Sequence, residues 1–269
     1  MSFALSKRLV VDALSKALLP ALVLGTPLVA GAESIEPEYS VAYNIGAVSD
    51  YRVRGIAQTA TDPALQGGVD FTHLSGFYAG VFASNVKWVK QFNGATKGSV
   101  EVDFYAGFRS ALDVVPVNYD VGVITYQYPG NDSGVGGKVP AGTFANASTV
   151  ELYGSATYKM FTLKYNRSVG NFLGNLHSSG SQYFDLSANV DLTNGFSLTP
   201  HVGRQLITNQ ANDAGNYTDF ALTLAKDFGN GLSITAAVMR TNADKVFYTD
   251  TNGRYLGKSA FVAGVKYSF

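Results

Sequence analysis

The sequence has 269 residues, with 20 Lys+Arg against 20 Asp+Glu and no cysteine. A chain so balanced in charge offers no electrostatic footprint for nucleic acid, and without cysteine it has no disulfide framework, thiol nucleophile or zinc–thiolate site. Its 29 glycines and 13% aromatic residues, beside 15% charged ones, favour many strands and turns over helices.

In chain order, the first 32 residues carry Lys7, Arg8 and Lys16, then an apolar run over 17–29, then Ala30-Gly31-Ala32. This order predicts a secretory signal peptide, removed after Ala32. Pro20, Gly25 and Pro27 interrupt the run, which is shorter than the roughly 20 residues of a membrane-spanning helix. Residues 33–269 are then the mature domain, with 17 basic against 19 acidic residues.

That domain reads in period two. Segments with one apolar face are expected over 39–48, 64–73, 77–86, 100–110, 117–126 and 150–158, then 161–168, 182–192, 196–205, 218–228, 232–240 and 260–269. Each is close to the roughly 9 to 11 residues with which a tilted strand crosses a bilayer. The joins alternate. Those at 73–76, 112–116, 159–160, 193–195 and 229–231 are tight, whereas 87–99, 129–148 and 241–258 are long and polar. Soluble sandwiches show no such alternation; outer-membrane barrels do, with short periplasmic turns and long external loops. The expectation is an all-β, 12-stranded antiparallel transmembrane β-barrel of outer-membrane type.

Outward aromatics gather near the periplasmic strand ends: Tyr39, Phe71, Phe77, Phe108, Tyr119, Tyr158, Phe161, Phe196, Phe228, Tyr267 and Phe269. This is the girdle expected where lipid meets water. The last segment, FVAGVKYSF, keeps Phe261, Ala263, Val265, Tyr267 and Phe269 on one side. Its apolar face needs lipid and its backbone needs a partner, which pairing with 39–48 supplies. The pattern does not separate the two faces of 77–86. Pro200 falls on the outward face of its strand and predicts a bulge or slipped register. Lys226 faces lipid near the periplasmic end, where it can snorkel.

The inward face is polar. Asp50, Arg52, Arg54, Glu101, Asp103, Arg109, Asp120, Glu151, Lys164, Asp185, Asn189 and His201 are the candidate pore-lining residues, with Asp70 and Asp191 on the same side. Alternate charged positions suit a water-filled or hydrogen-bonded lumen, since Arg or Lys facing lipid at mid-depth costs about 2–4 kcal/mol. One reading is a selectivity lining; the other is a salt-bridged plug. In the outer half, Asp50, Glu101, Asp103, Glu151 and Asp185 outnumber Arg52 and Arg54, which points to a weak cation preference.

Catalysis is the rival class. His73-Leu74-Ser75 lies in an expected periplasmic turn and His177-Ser178-Ser179 in a long loop; neither completes a nucleophile–base–orienter set. No cofactor or metal is expected. His201 reads as a lone inward wall residue.

The stretch SDYRVRGIAQT, 49–59, resembles the opening motif of the TorF family of outer-membrane porins, with Val53 and Ala57 in place of that family's usual Phe and Ser. FYAGVFASNV (77–86), EVDFYAGF (101–108), YDVGVITYQYPG (119–130) and VELYGSATY (150–158) are similar to family segments in the same order. The resemblance implies a bacterial outer-membrane channel for passive diffusion of small hydrophilic solutes or ions. A non-conducting structural or adhesive barrel and an envelope enzyme are the alternatives. It also implies contact with outer-membrane lipid and lipopolysaccharide, and the aromatic terminus resembles the signal read by the barrel assembly machinery.

Overall fold

The computed structural model describes residues 37–135 and 137–269; the expected signal segment, 1–32, lies outside them. Among the described residues, the alternating segments form twelve antiparallel strands. These are β1 Tyr39–Val48, β2 Ala64–His73, β3 Phe77–Asn85, β4 Val100–Ala111, β5 Val117–Gln127 and β6 Thr149–Tyr158. They continue as β7 Phe161–Ser168, β8 Gln182–Ala188 resumed at Val190–Asp191, β9 Phe196–Leu206, β10 Tyr217–Asp227, β11 Leu232–Thr241 and β12 Ala260–Ser268.

Each strand pairs with its neighbours in the chain, and β1 also pairs with β12, from Asn44 opposite Ser268 to Val48 opposite Gly264. Reciprocal backbone bonds of 2.9 Å between Tyr43 and Phe269 extend this seam. The sheet is therefore closed, leaving no unpaired edge to face an apolar solvent. Its outer wall is apolar: Leu152, Leu163, Val238 and Phe261 are all exposed, with Phe261 at 67%. In water such a continuous band would drive association; in lipid it is the required solvent match. At the end with tight turns the aromatics form contacts, Tyr39 on Phe71 at 5.8 Å, Phe77 on Phe108 at 5.0 Å and Tyr267 on Phe269 at 6.0 Å.

The structure separates the faces of β3. Phe77 is exposed, while Tyr78 is buried and donates to Asp120 at 2.6 Å. Aromatics occupy both faces there, which removes the contrast a periodicity reading needs.

Pro200 corrects an expectation, because it causes neither a bulge nor a slip. Ser187 pairs with His201 and Val190 with Leu198 in one continuous register, and β8 merely lapses at residue 189, opposite Thr199. On its other side Pro200 pairs with Leu222 without interruption. A proline removes a single ladder donor, whereas a one-residue slip would turn every side chain of β9 to the wrong face. Lys226 does snorkel: its ammonium lies over the rings of Phe196 at 4.6 Å and Phe228 at 5.5 Å, and reaches the Asn194 carbonyl.

At the opposite end the long connections fold on one another instead of spreading into solvent. Ile56, Ala57, Tyr217, Tyr248 and Leu256 form one buried apolar cluster, and Val86, Trp88, Val89 and Tyr128 belong to another. The apolar core of the molecule thus lies in its loops, since the barrel wall faces lipid.

The alternation of joins sets the orientation. An epitope inserted at Asn252 is expected to bind antibody on intact cells, and one at Asn230 only after the outer membrane is permeabilised. Labelling of Asn230 alone on intact cells would invert the topology.

Candidate functional site: the barrel interior

The loop after β1 does not continue the wall. Asp50, Arg52 and Arg54, read from sequence as inward wall positions, lie instead in this loop, which turns into the barrel. Arg52–Val53 and Ile56–Ala57 form a two-residue-turn hairpin with Arg54 at φ 50° and Gly55 at φ 77° at its tip. Positive φ at both turn positions is the geometry of a type I′ turn. It is natural for Gly55, but an arginine there is strained, and such strain persists only where surrounding contacts hold it.

Those contacts lie on other parts of the wall. The Arg54 guanidinium donates to both carboxylate oxygens of Glu151 on β6, at 3.1 and 2.6 Å, and to Gln205 Oε1 on β9 at 2.8 Å. It also stacks 4.3 Å from the Tyr183 ring centroid on β8. Paired charge, hydrogen bonds and cation–π contact act on one side chain. Burial is the largest influence and opposes the Arg54 charge, but the Glu151 carboxylate together with Tyr126 and Tyr183 outweighs it and raises the guanidinium pKa.

The rest of the motif anchors the hairpin. Arg52 pairs with Asp50 at 2.7 Å and donates to the Gly55 and Lys258 carbonyls. Tyr51 donates to Glu101 Oε1 at 2.5 Å, and Tyr128 to Oε2 at 2.7 Å. Burial, then the neighbouring Glu101, pushes the Tyr51 pKa well up, so its proton stays on the phenol. The Gln58 carbonyl accepts from Lys87 and Trp88 amides, and the Ala57 amide donates to Leu256. Three outer loops are thereby tied together.

The sequence-predicted residues separate into two levels. In the outer half Glu101, Asp103, Glu151 and Asp50 are buried; the hairpin and tyrosines hold Asp50, Glu101 and Glu151. Deeper in the barrel, Asp185 and His201 are about one fifth exposed. His201 is not alone: its ring lies 3.4 Å from Asp185, 3.1 Å from Asp219 and 3.1 Å from the Tyr183 hydroxyl. Lys164 lies over the Tyr153 ring at 4.4 Å and Arg109 over the Tyr78 ring at 4.3 Å. Asn189 is exposed at the tight-turn end of β8. His73 and Ser75 bond to each other at 2.7 Å in an exposed turn, and the Ser178 hydroxyl is buried, donating to the Asn175 carbonyl and accepting from the Phe172 amide.

Sequence reasoning missed the inward tyrosines. Tyr78, Tyr105, Tyr153 and Tyr183 each lie over an inward glycine, where a Cβ at Gly107, Gly80, Gly122 or Gly203 would overlap the ring or hydroxyl. The rings cover the small residues as aromatics do in other sheets, and their hydroxyls extend the network: Tyr78 to Tyr153, Tyr105 to Asp70 and Tyr183 to Asp219. The signal was present, since Tyr105, Tyr153 and Tyr183 each stand two residues from a carboxylate already assigned inward. Asp219 and Gln205, also missed, follow from the same alternation.

Removing one partner of a buried pair strands the other charge, which costs about 3–5 kcal/mol. Arg54→Met and Glu151→Met should each lower the temperature at which the barrel loses its compact gel mobility. The double variant should lie well above the sum of the two losses.

Comparison with known proteins follows from this geometry. Residues 31–269 match the family described as "Bacterial protein of unknown function (Gcw_chp)". No curated protein matches the sequence. Among solved structures, the chain is similar to "KdgM porin in complex with disordered oligogalacturonate", with 8% identity over 85% of this chain and 98% of that one and a TM-score of 0.51. It is similar also to the NanC porin, with 12% identity over 85% and 99% and a TM-score of 0.53. At such identities the likeness is one of fold. Closed strands, a lipid-matched wall and an aromatic girdle on that fold place the protein in the bacterial outer membrane. The chain belongs to the Gcw_chp family of bacterial proteins, and its fold is the 12-stranded barrel of outer-membrane porins.

Proposed function

We propose that the protein is a porin-like channel for passive diffusion of small hydrophilic solutes or ions, narrowed by the hairpin that carries Arg54. The observation that carries this reading is a polar interior crossed by a single strained loop. A barrel meant only to be solid has no need to hold an arginine at φ 50°. Below the hairpin, Asp185 and His201 remain reachable by water. Among the outer loops lies an open pocket of about 480 Å³ whose lining includes Phe92, Phe144, Phe247, Asn209, His177 and Asp250. Aromatic faces beside hydrogen-bonding groups suit small hydrophilic solutes. The resemblance of 49–59 to TorF-family porins supports the same reading.

The interior charges favour cations. Arg52 is matched by Asp50 and Arg54 by Glu151, which leaves Asp185 and Asp219, on either side of His201, as the acid excess deeper in the barrel. In a narrow lumen with low-dielectric walls this raises the local cation concentration. We also assign residues 1–32 as the cleaved export signal and the barrel assembly machinery as the partner that inserts residues 33–269.

A sealed barrel acting in envelope structure is the second reading. Glu101 and Glu151, each 1% exposed, favour it. Recording in planar bilayers separates the two. The channel predicts discrete steps, a larger conductance for Arg54→Ala, and a reversal potential favouring cations that shifts towards zero in Asp185→Asn. The preference should fade above about 0.1 M salt, where the screening length drops below roughly 10 Å. Silence from both the native chain and Arg54→Ala would decide for the sealed barrel.

A further inference from the structure

Charge on the outer wall is distributed to one side. The outward faces of β1 to β6 carry no charged residue, whereas β7, β9 and β11 carry Arg167, Arg204 and Arg240. All three are exposed, all three lie within the last three residues of strands running towards the long loops, and none has an ion-pair partner among the described residues. Arg204 makes one hydrogen bond, to the Thr218 hydroxyl at 3.2 Å. Every acid on β7 to β12 points the other way: Asp185, Asp191, Asp219 and Asp227 stand at inward positions of their strands. Neighbouring strands are roughly 5 Å apart, so Arg204 stands between Arg167 and Arg240 with about 10 Å of wall on either side, and the outer two arginines are roughly 20 Å apart.

Beside them the wall is apolar and slightly concave. A shallow, open apolar groove runs between β9 and β12, with Pro200, Phe220, Leu222, Val238 and Phe261 along it and Arg240 at its rim.

We propose that this face is a binding site for a phosphorylated glycolipid of the outer leaflet, with its phosphates on Arg167, Arg204 and Arg240 and an acyl chain in the groove. Guanidinium matches phosphate oxygens in pairs and sheds water more readily than ammonium. An unpaired arginine at the edge of lipid is satisfied by an anionic headgroup at that depth, and the apolar groove beneath it distinguishes a lipid from free phosphate. This site is independent of whether the lumen conducts.

The test is native mass spectrometry of the full chain in detergent, with bisphosphorylated hexa-acyl lipid A as the probe and its dephosphorylated form and inorganic phosphate as comparisons. The native chain should retain bisphosphorylated lipid A in preference to the other two. The triple variant R167Q/R204Q/R240Q should bind it roughly a hundredfold more weakly, and Val238→Phe should weaken both lipids by filling the groove. Equal binding of the phosphorylated and dephosphorylated lipids by the native chain would overturn the proposal without recourse to any variant. So would undiminished binding by the triple variant once its heat-dependent gel shift shows a folded barrel, or a dimer that forms through these arginines and excludes lipid.

Discussion

A backbone amide has no partner in hydrocarbon, and this one constraint shapes the molecule. Each strand must pair on both sides, so β1 must meet β12, and the seam from Tyr43 to Phe269 is as necessary as any hairpin. Closure turns the usual arrangement inside out. Apolar side chains go outward to lipid, and whatever the interior holds must be polar and satisfied. A ring of twelve strands leaves more space than wall side chains alone fill. The protein has then to occupy that space or leave it to water, and side chains and a loop occupy much of it.

Two devices occupy it. Tyrosines on the inner wall cover glycines on the adjacent strands, spending no extra volume and presenting hydroxyls to Asp70, Asp120 and Asp219. The hairpin at 52–57 then crosses the outer half, and its arginine meets an acid far away in sequence. Strain at Arg54, burial of Glu151 and the apolar packing of Ile56 and Ala57 in the loop cluster are mutually dependent. Because the anchor is local and ionic while the wall is held by ladder bonds, the hairpin is the part that substitutions can free without dissolving the barrel. That is the physical basis for reading it as a constriction.

Much of the wall was legible in the sequence, because one face in lipid and one in a polar interior force a period of two that turns cannot blur. The strand ends, the girdle and the snorkelling of Lys226 all follow from it. Loops obey no such period. Continuing the alternation past Val48 put Asp50, Arg52 and Arg54 on a wall they do not belong to; they lie in the loop that follows β1. His201 looked solitary because Asp219 and Tyr183 are brought to it from other strands. The missing bulge at Pro200 has a similar cause: the cost of a lost donor is local, whereas the cost of a slipped strand is spread over its length.

The central claim is that the first outer loop lies across the barrel with its tip against β6. With no native cysteine, Arg54→Cys and Glu151→Cys supply the only two thiols, and a bis-maleimide of roughly ion-pair length should join them. In intact outer membranes the account predicts efficient cross-linking that traps the compact form on gels, and none when Arg54→Cys is paired with a cysteine at Asn230. Two thiols that each react singly with a maleimide but never join would contradict it.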